Sequence, residues 1–116
     1  MIKIWHNNRC SKSREAKKIL EDSGLEFEVF EYLKNDFTID DIKDIKNMLG
    51  ISDIRDMLRK KEKEYKELDI DNKSEDEILT ILLDTPKLIE RPIIIKENRA
   101  VIARPMENLT NLLENS

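Results

Sequence analysis

The chain's one cysteine, Cys10, lies in the run His6-Asn7-Asn8-Arg9-Cys10-Ser11-Lys12-Ser13-Arg14. A short strand-like stretch, Met1 to Trp5, precedes it, and a helical pattern with apolar Ala16, Ile19 and Leu20 follows. A thiol at a strand-to-helix turn faces the first helical amides, which have no partner within the helix and carry partial positive charge. His6, Arg9, Lys12 and Arg14 add cationic or proton-accepting groups nearby. Such surroundings lower a cysteine pKa from about 8.5 into the range of roughly 3.5–7.5, which leaves thiolate at neutral pH. The chemistry expected is that of one nucleophilic sulfur. The competing readings are a buried, inert small hydrophobe at Cys10 and a loop-packing residue at His6.

Arginines are the second group with chemical potential. Two short β runs, Ile93-Ile94-Ile95 and Ala100-Val101-Ile102, read as a hairpin. Arg91-Pro92 precedes it and Arg104-Pro105 closes it, so Arg91 and Arg104 lie at or near one end. Guanidinium forks near a thiolate share a purpose if the substrate is a tetrahedral oxyanion. A cis bond at Pro92 would be a deliberate feature, since only about 5–6% of X–Pro bonds are cis. The plainer alternatives are a trans proline at a strand start and solvated surface arginines. Arg59 sits in a run of charges whose default reading is a solvated helix face.

The elements that must position these residues follow from period and punctuation. Ile2 and Ile4 alternate with Lys3 in a first strand, and Gly24 stands just past a helix that begins near Ser11. Phe27 and Val29 alternate with Glu26 and Glu28 in a second strand, parallel to the first across this short crossover. The middle of the chain is helical. Thr38 can cap a helix carrying Ile39, Ile42 and Ile45 that Gly50 ends, and Ser52 can cap another with Ile54, Met57 and Leu58. Ser74-Glu75-Asp76-Glu77 reads as a capping box before Ile78, Leu79 and Leu82, with Pro86 as the stop. The hairpin and a last helix with Leu109, Leu112 and Leu113 complete the order. The fold class expected is α/β, a thioredoxin-like mixed four-stranded sheet with a helical insertion over about 38–86, in a single domain spanning 1–116.

Composition narrows the partners. The 116 residues suit one domain; 40% are charged, of both signs, with a net charge of −4. Broad nucleic-acid binding needs a basic face and is disfavoured. No apolar run approaches the roughly 18 residues of a membrane span, and the start lacks the pattern of a signal peptide. One cysteine forms no internal disulfide, which suits a reducing cytoplasm. With one histidine besides, it supplies no four-ligand zinc site, so no metal is expected.

Four motifs occur in register: the His6-to-Arg14 run, Leu58-Arg59-Lys60-Lys61-Glu62-Lys63-Glu64-Tyr65-Lys66-Glu67-Leu68, Arg91-Pro92-Ile93 and Ile102-Ala103-Arg104-Pro105. Together they resemble the glutaredoxin-linked arsenate reductase (ArsC) family, which includes the Spx-type transcriptional regulators. The resemblance covers essentially the whole chain. It implies that Cys10 is the nucleophile and His6 the histidine that helps activate it. It implies that Arg59, Arg91 and Arg104 hold the arsenic oxyanion and that Pro92 is a cis-proline. The chain departs from the pattern at Asn8, where the family commonly has proline, and at Ser13, the position of the second cysteine in a C-x-x-C pair.

The resemblance implies an oxidoreductase without a bound cofactor. Its partners would be arsenate or a similar oxyanion, glutathione as external reductant, and glutaredoxin; it would act as a cytoplasmic monomer. Two other readings are a Spx-type regulator docking on RNA polymerase and a general glutathione-linked thiol–disulfide oxidoreductase. Ser13 removes the redox pair many Spx regulators use as a switch, and three arginines fit an oxyanion better than a disulfide.

Overall fold

The computed structural model describes residues 1–114 of the chain. Four strands form one sheet: β1 (Ile2–Trp5), β2 (Phe27–Phe30), β3 (Ile93–Lys96) and β4 (Arg99–Ile102), in the order β2-β1-β3-β4. β1 and β2 run parallel, with Trp5 opposite Phe30. β1 and β3 are antiparallel, with Trp5 opposite Ile93, and β3 and β4 form an antiparallel hairpin with Ile93 opposite Ile102. This mixed α/β sheet is the architecture read from the periodicity. The register sets the site, because the ends of β1, β2 and β4 and the start of β3 all fall at one edge.

The period of two along each strand sends alternate side chains into two cores. Ile2, Ile4 and Ile94 pack with Ala16 and Leu20 of α1 (Ser11–Asp22) and with Leu109 and Leu112 of α5 (Glu107–Glu114). Trp5, Ile93 and Ala100 point the other way, into the larger core. There they meet Ile42 and Ile45 of α2 (Ile39–Leu49) and Ile78, Leu79 and Leu82 of α4 (Glu75–Asp84). The insertion therefore covers one face of the sheet, while α1 and α5 cover the other.

Both capping boxes form in full. Thr38 accepts from the Asp41 amide and Asp41 accepts from the Thr38 amide; Ser74 and Glu77 exchange the same pair of bonds. Gly50, with φ of 73°, takes the left-handed conformation that ends α2.

The segment after Ser52 departs from the expected helix. Asp53 caps a single 3₁₀ turn, Ile54–Met57, and Leu58 is already extended. Leu58 makes an isolated β-bridge with Ile89, the Arg59 amide donates to the Leu88 carbonyl at 2.7 Å, and the Glu90 amide donates to the Met57 carbonyl at 2.8 Å. Tertiary pairing overrides local helical periodicity here. The charged stretch resumes as a short helix, α3 (Lys63–Glu67), so Arg59 lies on an extended link and not on a helix face.

Candidate active site

Cys10 is the N-cap of α1, in extended conformation (φ −89°, ψ 123°), and is only 8% exposed. Its amide donates to the Asn7 carbonyl at 2.9 Å and its carbonyl accepts from the Arg14 amide at 3.0 Å, so the turn feeds directly into the helix. Burial pushes the Cys10 thiol up, but the sum of opposing effects brings it below its ordinary value. Those effects are the Ser13 and Lys12 amides facing the sulfur and the positive charges of Arg91 and Arg104. The side chain closes no capping hydrogen bond of ordinary geometry; the amides act on it as oriented dipoles.

The cations that act on the sulfur flank the hairpin. Arg104 Nη2 lies 3.4 Å from Cys10 Sγ, and Arg104 Nε donates to the Arg91 carbonyl at 2.7 Å. The Ala103 amide donates to the Pro92 carbonyl at 3.0 Å, fixing the two flanks of the hairpin to each other. Two local cations of the Cys10 run are engaged elsewhere. Arg14 Nη1 donates to the Asn8 carbonyl at 2.9 Å, and Lys12 pairs with Glu15 at 3.7 Å. The Arg91–Pro92 bond is cis, and so is Arg104–Pro105.

His6 is buried and makes its contacts away from the sulfur. The Asn7 amide donates to Ser13 Oγ at 3.0 Å, and Ser13 Oγ lies 2.8 Å from His6 Nδ1. His6 Nε2 lies 3.4 Å from Asn8 Oδ1. With Ser13 donating to Nδ1, the ring carries its proton on Nε2, which donates to Asn8. Burial holds the imidazole below its ordinary pKa, against the Asn8 hydrogen bond that favours the charged ring. No hydrogen bond joins His6 to Cys10 among the described residues. Ser13, fully buried, ties the ring to the loop backbone. The sequence showed it only as a missing cysteine.

Arg59 reaches the same end of the molecule from the insertion. It shares a cleft of about 580 Å³ with Arg104, Leu58 and Glu90. Its guanidinium is occupied: Nη1 lies 2.6 Å from Glu62 Oε1 and Nε lies 4.0 Å from Glu90 Oε1. Arg104 thus meets the Cys10 sulfur directly, Arg91 acts on it through its charge, and Arg59 shares a cleft with Arg104.

Tyr32, two residues past β2, is another group the sequence reading missed. It is 1% exposed and stacks on Trp5 at a ring distance of 5.8 Å. Burial pushes its phenol up to about 12, against the opposing charges of Arg91 and Arg59; Cys10 and Glu90 act on it in the same direction as burial. Its hydroxyl, and Nε and Nη1 of Arg91, are buried without a hydrogen-bond partner among the described residues. A lone tyrosine after a strand carries no pattern that would mark it.

The fold and the site define a class: a mixed four-stranded α/β protein that presents one activated thiol, at a helix N-terminus, to guanidinium groups. Comparison with known proteins agrees. The ArsC family model matches residues 5–112. An arsenate reductase of Neisseria meningitidis is 44% identical, with 97% of each chain covered. One of Haemophilus influenzae is 38% identical over 95% of this chain and 97% of its own. The solved structure of an arsenate reductase from Vibrio cholerae superposes with a TM-score of 0.91 at 37% identity, covering 95% of both chains. The chain belongs to the ArsC family.

Proposed function

We propose that this protein is an arsenate reductase that uses glutathione and glutaredoxin. The observation that carries the reading is the placement of Arg104 Nη2 at 3.4 Å from a Cys10 sulfur whose pKa is lowered. Fixed positive charge beside a nucleophile stabilises an oxyanion as it reacts, and needs no reorganisation when charge shifts. The relatives named arsenate reductase support arsenate as that oxyanion.

Cys10 thiolate forms a bond to arsenic and one arsenic–oxygen bond breaks, the oxygen leaving as water; arsenic stays As(V). Arg91 and Arg104 offset charge on the remaining oxygens. Glutathione thiolate then forms a second arsenic–sulfur bond and a second oxygen leaves as water. A glutaredoxin thiolate attacks the glutathione sulfur. That arsenic–sulfur bond breaks, its electron pair stays on arsenic, now As(III), and a glutaredoxin–glutathione disulfide forms. Water displaces Cys10, releasing arsenite. An external thiol is required because the chain has one cysteine, with Ser13 at the second position of the C-x-x-C pattern. His6 acts by holding the loop through Ser13. Such thiol turnover suits a monomer working in the reducing cytoplasm.

The test is arsenate-dependent glutathione oxidation with glutaredoxin present. Turnover by the wild type, lost in Cys10→Ser, supports the reading. A chain that takes up glutathione at Cys10 but neither binds nor reduces arsenate is a general thiol–disulfide enzyme instead.

A further inference from the structure

Arg59 is the guanidinium of the site with a carboxylate already on it. Glu62 Oε1 lies 2.6 Å from Arg59 Nη1, and Glu62 Oε2 lies 3.7 Å from Lys87 Nζ. Both side chains of the Arg59–Glu62 pair are mostly buried, with 26% and 21% exposed, so solvent screens them less than an ordinary surface pair. Lys87 is shared, since its ammonium also holds Glu64 at 2.6 Å. The pair lies in the cleft that Arg104 lines, and Arg104 reaches the Cys10 sulfur.

A carboxylate and a tetrahedral oxyanion compete for the same face of a guanidinium. We propose that Glu62 is an internal competitor for the oxyanion, and that substrate reaches Arg59 by exchange, with the Glu62 carboxylate passing to Lys87. Glu62 then sets how tightly the site holds anions. It acts through Arg59 and is a positioning residue. Resting Arg59 on Glu62 keeps the guanidinium in one place, and the exchange weakens binding of every anion that needs that fork. The inference rests on the oxyanion reading of the site, and deepens it.

Glu62→Gln keeps the shape and removes the charge. Two probes read the result. The first is sulfate, measured by its protection of Cys10 from alkylation. The second is the ratio of Cys10 alkylation rates by iodoacetate, an anion, and iodoacetamide, a neutral analogue. Neither depends on arsenate turnover. Sulfate should bind about three- to tenfold more tightly in Glu62→Gln, a change of the size expected when a partly buried ion pair no longer has to be broken. The iodoacetate-to-iodoacetamide ratio should rise about two- to fivefold.

Asp56→Asn is the charge control. Asp56 lines the same cleft but pairs with Lys60 at 3.8 Å, and not with Arg59. It should give less than half the Glu62→Gln effect. In the background of Arg59→Ala, Glu62→Gln should keep no more than the effect of Asp56→Asn, since the competed group is gone and only the general charge effect remains. Equal gains from Asp56→Asn and Glu62→Gln, a Glu62→Gln gain that survives Arg59→Ala undiminished, or unchanged or weaker sulfate binding in Glu62→Gln each overturn the proposal. Should these probes respond as described while arsenate is not reduced, the arsenate reading fails and the exchange stands. Should arsenate be reduced and the probes not respond, the exchange fails alone.

Discussion

At Cys10, burial and local charge oppose each other. Burial favours the neutral thiol; the Ser13 and Lys12 amides and the Arg91 and Arg104 cations favour thiolate, and together they prevail. Alkylation by iodoacetamide follows the thiolate fraction, so its rate climbs as pH rises through the folded pKa and then levels off. The midpoint should fall below about 8.5, the value of a free thiol, and Arg104→Ala should move it upward by removing the guanidinium that lies 3.4 Å from the sulfur. A midpoint at or above the free value, or one that Arg104→Ala leaves in place, would mean that the sulfur is not activated as described. Cys10 was legible because its activation begins with a local feature, the start of a helix, that a few consecutive residues announce. Arg91 and Arg104 were legible because a hairpin returns the chain to the same end. Glu62, Ser13 and Tyr32 were not. Their parts depend on which side chains meet in space, and nothing in their types marks them: one glutamate among many, one serine, one tyrosine.

The elements divide in the same way. The capping boxes at Thr38 and Ser74 are written in four consecutive residues each, and both close as written. Ser74→Ala removes the acceptor of the Glu77 amide and leaves a helix start partly unsatisfied. It should cost about 1 kcal/mol of stability, within the range of 0.5–2 for such caps, read as a lower urea midpoint at unchanged slope. A change near zero would mean that α4 is held by its buried Ile78, Leu79 and Leu82 alone. The stretch after Ser52 shows why periodicity fails where a distant strand competes. Ile54, Met57 and Leu58 have helical spacing, yet Leu58 leaves the turn to pair with Ile89. Backbone hydrogen bonds to a partner some thirty residues away outweigh a local preference worth tenths of a kcal/mol per residue. That pairing carries Arg59 toward the open end of the hairpin, where β3 starts and β4 ends.

On the scale of the whole molecule, the chain carries a net charge of −4 and is read as binding an anion. The contradiction is resolved by position. The insertion contributes Arg59 and the hairpin contributes Arg91 and Arg104, and the sheet register gathers them at one end, where local charge outweighs the distant total. The insertion covers one face of the sheet, and under the proposed function it also lends a guanidinium to the site. The second role can be tested apart from the first. Arg59→Ala should lower kcat/KM for arsenate by at least about tenfold, short of the 10²–10³ seen when a fully engaged oxyanion donor is lost, because Glu62 already competes for this one. Lys61→Ala removes an exposed positive charge two residues away that lines the same cleft. Its effect should stay within about threefold, the size expected of a solvated charge. Both variants should keep the wild-type far-UV circular dichroism and unfold in one cooperative transition, which separates loss of a contact with substrate from loss of the insertion's packing. If the two variants lose activity equally, Arg59 is only one more surface charge, and the site is built from Cys10 and the hairpin alone.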